Sequence, residues 1–142
     1  MDQTDLKIIN ILQEDGRCSI KTIGAKVNLS SPAVSERLRR LEEQGIIEGY
    51  CANINYLKLN KTIAAFITVD VDPQKYDGFC EFCKKNPLIK EHYHIIGPHN
   101  AMLHAVVSDS NELADLLSKI QIFGVSQTSV ILNTLFNRKA NI

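Results

Sequence analysis

The chain has no tryptophan and only 6% aromatic residues, and its 142 residues include just seven glycines, four prolines and four cysteines. That scarcity excludes collagen-like chains, mucin-like stalks and long disorder. Charge of one sign is also missing: 16 basic and 16 acidic side chains cancel to zero, so no global field draws the protein to nucleic acid. Any such binding needs a local cluster of Lys and Arg. The longest uninterrupted apolar run, Ile63 to Ile67, falls far short of the roughly 18 residues that span a bilayer, and Met1-Asp2-Gln3-Thr4-Asp5 is acidic. Neither a membrane span nor a signal peptide is expected. Cys18, Cys51, Cys80 and Cys83 are too sparse for a secreted disulfide scaffold and read as free thiols in a reducing cytoplasm.

What is present is an ordinary globular balance, 44% hydrophobic and 23% charged, in a length that admits one domain or two small ones. Leu6, Ile9 and Leu12, with Ile8 beside them, recur near helical spacing behind the acidic turn of Asp2 and Asp5, and this helix ends at Asp15-Gly16. Ser19 caps a second helix carrying Ile20, Ile23 and Val27, interrupted by Asn28, a residue that tolerates the left-handed conformation of a tight turn. A third opens at Ser30-Ser31-Pro32, carries Val34, Leu38 and Leu41 on one face and stops at Gly45.

After Gly45 the period changes. Ile46 to Tyr50 and Ala52 to Ile54 read as two short strands, a wing appended to the helices, and the Asn- and Lys-rich stretch up to Asn60 reads as a partly anchored connector. The alternation Ile63, Ala65, Ile67, Val69, Val71 describes a strand. Tyr76, Phe79, Cys80 and Cys83 fall on one helical stripe, ended by Asn86-Pro87. Strands Ile89 to Ile96 and Ala101 to Val107 flank the turn Gly97-Pro98-His99-Asn100, a helix bearing Leu113, Leu116, Leu117 and Ile120 follows, and Val125 to Phe136 forms a last strand. The fold class is therefore α+β: an N-terminal winged helix-turn-helix and a ferredoxin-like βαββαβ domain with both helices on one sheet face. The other face of that sheet is expected to expose apolar area from the β-branched strands, which a second copy of the chain covers.

Helices two and three have the spacing of a helix-turn-helix, with small Gly24 at the crossing and Asn28 at the turn. The second helix of such a pair enters the major groove. Its outward residues are Ser31, Ala33, Ser35, Glu36, Arg39 and Arg40; Ser bonds several bases, Ala touches a thymine methyl, Glu36 accepts from cytosine, and Arg39 and Arg40 meet phosphates. Arg17, Lys21 and Lys26 extend the positive rim. Against this stands a plainer reading, in which Arg37, Arg39 and Arg40 beside Glu42 and Glu43 form a solvated, salt-bridged helix face.

The runs Asp5-Leu6-Lys7-Ile8-Ile9, Asp15-Gly16-Arg17, Leu29 through Glu42 and Gly45-Ile46-Ile47-Glu48-Gly49-Tyr50 resemble the Lrp/AsnC (leucine-responsive/asparagine regulator) family of prokaryotic transcription regulators over essentially the whole chain. The resemblance implies a winged helix-turn-helix over residues 1–52, a connector over 53–60 and a dimerisation and effector domain over 61–142. It implies double-stranded DNA as partner, and homodimers assembling to an octamer or another oligomer. It assigns DNA reading to Ser31, Pro32, Ala33, Ser35, Glu36, Arg37, Arg39 and Arg40, with Arg37 orienting the helix or meeting phosphate. Effector binding is assigned to Gly97, Pro98, His99, Asn100, Ala101, Thr128 and Val130. Here the family's Gly-x-x-Asp-Tyr reads Gly97-Pro98-His99-Asn100-Ala101, Val130 replaces a usual Thr or Ser, and Leu59-Asn60 stands where Leu-Gly is usual. Those departures argue against ordinary amino-acid binding.

Other chemistry is thin. Cys80, Cys83, His92 and His94 have the residue types of a zinc site, yet the cysteines sit on an apolar stripe where Cys behaves as a small hydrophobe. No phosphate-cradling glycine loop, Gly-x-Ser-x-Gly elbow or His-Glu-x-x-His helix suggests an enzyme, and no cofactor is implied. The rival to a DNA-binding regulator is a ligand- or metal-sensing oligomeric module without specific DNA reading.

Overall fold

The structure, a computed structural model, describes residues 1–136. The chain divides into two compact units, one built on Met1–Asn53 and the other on Ile54–Thr134. The last stretch of the expected second domain, residues 137–142, lies outside the described residues.

The first unit holds three helices, α1 (Gln3–Glu14), α2 (Ile20–Val27) and α3 (Ser31–Glu43). Each starts on a side-chain cap: Asp2 accepts from Thr4 and Asp5, Ser19 from Thr22, and Ser30 from Ala33, where Pro32 fits the first turn. Ile8, Ile23 and Val34 interlock as the centre, with Ile11, Leu12, Val27, Leu29 and Leu38 around them. The expected two-stranded wing is corrected. After Gln44 the amide groups of Ile46 and Ile47 both donate back to the Leu41 carbonyl (2.9 and 3.1 Å), closing the helix end instead of extending into a ladder, and no strand forms between Gly45 and Asn55. An isolated two-stranded ribbon has little stability of its own.

In the second unit the connector forms a short 3₁₀ turn (Tyr56–Leu59) that ends on Asn60 in the left-handed region, φ 56°. Asn reaches that conformation as Gly does, which accommodates Asn60 where the family has Gly. Strands β1 (Ile63–Val71), β2 (Ile89–His94), β3 (Ala101–Val107) and β4 (Gly124–Val130) form one antiparallel sheet in the order β2-β3-β1-β4, with α4 (Tyr76–Lys85) and α5 (Ser110–Ile120) between them in the sequence. The βαββαβ order is thus as read. Two ends are corrected: β2 stops at His94, paired with Ala101 at the start of β3, and β4 stops at Val130 instead of Phe136. Ile131 still donates to Ala64, but β1 begins at Ile63 and offers no partner beyond.

Ala65, Ile67, Val69 and Val71 of β1 and Ala101, Leu103 and Ala105 of β3 pack with Phe79, Cys83, Leu116 and Ile120 of the helices. The β-branched residues of β1 therefore lie mainly inside. The opposite face exposes apolar area as expected, at Phe66, Tyr93 and Val125, but mixed with polar groups: the Phe66 ring lies tilted 5.4 Å from His104, His104 faces Glu91 (3.8 Å), and Asp70 is exposed.

Candidate nucleic-acid interface

The link between α2 and α3 is dictated locally. Asn28 takes the left-handed conformation (φ 57°, ψ 46°), and the amides of Asn28 and Leu29 both return to the Gly24 carbonyl. A Cβ on Gly24 would lie 2.5 Å from the Leu29 carbonyl oxygen, so no other residue fits the crossing without a backbone shift. Val34 and Leu41 are buried beneath α3. Its other side is left exposed at Ser31, Pro32, Ser35, Glu36, Arg39 and Arg40, with Ala33 half-buried.

The charges on this helix are not free. Arg39 lies between Glu36 (2.6 Å) and Glu43, which holds the Glu36 carboxyl below its ordinary value and pushes the Arg39 guanidinium up. Arg37 turns the other way: its Nη1 donates to both Asp2 and Asp5 at 2.7 Å. Arg40 reaches Asp5 at 3.3 Å while remaining 47% exposed. Among the described residues, the exposed side chains of Arg17, Lys21 and Lys26 make no ion pair.

Asp5 is the residue that the sequence reading missed as a structural centre. It is only 1% exposed, and burial pushes its carboxyl up, but the Asp2 amide and the Arg37 guanidinium outweigh that and hold it below the usual range. The Asp5 amide and then Arg37 bring Asp2 down to about 2. A signal was available: Asp2 and Asp5 stand three apart in a capping box, and Arg37 and Arg40 stand three apart on α3.

The candidate effector residues do not converge within one subunit. The Asn100 amide pairs with the β1 backbone, accepting from Val71 N–H (2.8 Å) and donating to its carbonyl (2.9 Å). Ala101 is buried, Gly97 and Pro98 are exposed, and His99 Nδ1 is buried with no hydrogen-bond partner among the described residues. Thr128 and Val130 pair with Ile67 and Ala65, roughly 13 and 20 Å along β1 from Val71 at about 3.3 Å per residue. A hollow of about 540 Å³ at the end of β1 is lined by Asp70, Asp72, Lys75, Phe123 and Val125 among others, and by none of the expected effector residues.

At the candidate zinc residues, Cys83 is buried against the sheet and its thiol is pushed up to about 12 by burial and then by Cys80. His92 packs edge-on to Phe79. Among the described residues no group of three or more His, Cys, Asp or Glu side chains is placed to hold a metal ion.

A capped helix-turn-helix with an exposed second helix, followed by a βαββαβ unit, is the architecture of a DNA-binding transcriptional regulator. Residues 1–48 match the model of the winged helix-turn-helix DNA-binding family, and residues 64–140 match that of the Lrp/AsnC ligand binding domain. YezC of Bacillus subtilis, named an uncharacterized HTH-type transcriptional regulator, is 37% identical over 94% of this chain and 95% of its own length. The HTH-type transcriptional regulator LrpA of Pyrococcus horikoshii is 36% identical over 95% and 99%. Among solved structures, Bacillus subtilis LrpC superposes with a TM-score of 0.92 at 30% identity, covering 97% of this chain and 99% of that one. The complex of NMB0573 from Neisseria meningitidis with L-Met gives 0.93 at 25% identity, covering 100% and 96%. The chain belongs to the Lrp/AsnC family of HTH-type transcriptional regulators.

Proposed function

We propose that the protein reads specific sequences in double-stranded DNA by seating the first turns of α3 in the major groove, and that it works in the cytoplasm as a homodimer or larger homo-oligomer, regulatory and not catalytic. Ser31, Pro32, Ala33, Ser35 and Glu36 meet base edges; Arg40, with Arg17, Lys21 and Lys26, meets phosphates, and Arg39 joins them when Glu36 turns to a base. The observation that carries this is the exposed first half of α3, held by a left-handed Asn28 turn and a Gly24 crossing that admits no side chain. Selection from a random pool, then competition against bulk DNA at fixed salt, should return one motif in half-sites about one helical turn, or a multiple, apart. No enrichment would remove the reading. Ser35→Ala or Glu36→Ala should change the motif, whereas Arg40→Ala should weaken binding to every sequence and reduce the salt slope by about 0.9.

Association is assigned to the second unit, whose outer sheet face leaves Phe66, Tyr93 and Val125 in water. Residues 61–142 alone should sediment as an oligomer, and a folded monomer at micromolar concentration would refute this. Common amino acids bind weakly or not at all, and DNA binding does not require them: Asn100 offers no carboxylate for an ammonium group, its amide is engaged by Val71, and Val130 offers no hydroxyl. Methionine is the first ligand to titrate, because the NMB0573 structure is a complex with L-Met. Micromolar, saturable heats with methionine, leucine or any other common amino acid would overturn the claim.

A further inference from the structure

We infer that Asp2 and Asp5 are positioning residues for DNA reading: through Arg37 they fix the rotation of α3, so sequence discrimination depends on two carboxylates that do not themselves touch DNA. The inference rests on the proposed reading of DNA by α3.

The apolar contact under α3, through Val34 and Leu38 onto Ile8 and Ile23, is non-directional and tolerates small rotations of the helix about its axis. Charge-assisted hydrogen bonds do not. Arg37 Nη1 is shared between Asp2 Oδ2 and Asp5 Oδ1, each at 2.7 Å. Asp2 Oδ1 in turn accepts from the amides of Thr4 and Asp5, and Asp5 Oδ2 accepts from the Asp2 amide at 2.9 Å. Both carboxylates are thus locked to the first turn of α1, and Arg37 is locked to both. Arg40 adds a longer 3.3 Å contact to Asp5. Arg37 directly follows Ser35 and Glu36, the side chains proposed to face bases. At a helix radius of about 5 Å, a rotation of about 20° carries those tips by about 2 Å, enough to break a hydrogen bond with its narrow distance range.

Electrostatics alone predicts the opposite of positioning, which makes the test sharp. Removing a negative charge from a DNA-binding unit strengthens binding to all sequences and leaves their ratio unchanged. Positioning predicts that Asp2→Asn and Asp5→Asn, in the full chain, lose roughly tenfold or more in the ratio of selected motif to bulk DNA, while bulk affinity holds or rises. Asp2→Asn keeps a capping acceptor, so α1 still starts normally, and circular dichroism with thermal melting checks that each variant is folded. Arg37→Lys is the second variant: both contacts come from the single Nη1, and an ammonium keeps the charge for any phosphate but sits on a shorter stem that does not reach both carboxylates at this helix rotation, so its ratio should fall with no change in salt slope. If Asp5→Asn does not fold, Asp2→Asn and Arg37→Lys decide. An unchanged ratio in folded Asp2→Asn and Arg37→Lys overturns the inference alone, because the wild type in the same assay still prefers its motif. A wild type with no preference overturns the reading of α3, and this inference with it.

Discussion

In the first unit a carboxylate, Asp5, sits among the buried residues and two arginines close around it, whereas the core of the second unit is built from apolar side chains of β1, β3, α4 and α5. The difference follows from what each unit must fix. A sheet sets its own register through ladder hydrogen bonds, so burial has only to hold the helices against it. Three short helices have no ladder between them, and few fully buried residues, so a directional ion network supplies the angle that apolar packing leaves loose.

Glycine substitutions break this comparison most strongly. A Cβ on Gly124 would stand 2.0 Å from the Asp70 carbonyl oxygen inside the β1–β4 pairing, and one on Gly24 would stand 2.5 Å from Leu29. Gly124→Ala should cost roughly 1–3 kcal/mol or more and weaken oligomers, and Gly24→Ala a similar or smaller amount with loss of specific DNA binding. Hydrogen exchange, read unit by unit, should place the loss of protection in the second unit for Gly124→Ala and in the first for Gly24→Ala. Equal losses in both units would show that the two do not respond separately.

Acid should separate the units next. Burial, with His94 beside it, lowers the His92 imidazole, so the unfolded chain takes the proton first; the stability that neutral His92 gives is present above about 6.5 and declines as pH falls below that. Asp2 and Asp5 are held below their ordinary value, so their contribution is complete above about 4 and is lost as pH falls toward about 2, where Asp2 takes its proton. Chemical denaturation between pH 7 and 5 should therefore weaken the second unit first, and His92→Phe should flatten that slope. A first unit that weakened before pH 5 would contradict the assignment.

The smallest effects come from caps. Ser19→Ala removes the acceptor for the Thr22 amide, and Asp109→Ala the one for Glu112. Each should cost about 1 kcal/mol, visible as a shift of the denaturation midpoint at constant slope and confined to its own unit.

Helix starts at Asp2, Ser19 and Ser30, the turn at Asn28 and the βαββαβ order were legible because caps, breakers and periodicity are local and leave marks at fixed spacing. The wing was not. Ile46 and Ile47 have strand composition, but their amides close the end of α3, a competition between partners that composition does not register. The end of the last strand is illegible for a related reason: Leu132, Leu135 and Phe136 suit a strand, yet β4 stops near the start of β1, with Val130 opposite Ala65 and a last bond from Ile131 to Ala64.

Of the candidate interface, the exposed residues of α3 followed from helical spacing, and the burial of Val34 and Leu41 confirmed which side faces inward. The partners of its arginines did not. Arg37, Arg39 and Arg40 look equivalent in a run of basic residues, and only their angular positions on the folded helix send Arg37 to Asp2 and Asp5, Arg39 to Glu36 and Glu43, and Arg40 to a longer contact with Asp5. The sequence by itself determined the five helices, the βαββαβ order and the family, because those rest on residues close together in the chain. Tertiary structure alone decided which charges are free, because Asp5 and Arg37 meet across 32 residues and their distance is set by how α1 packs on α3.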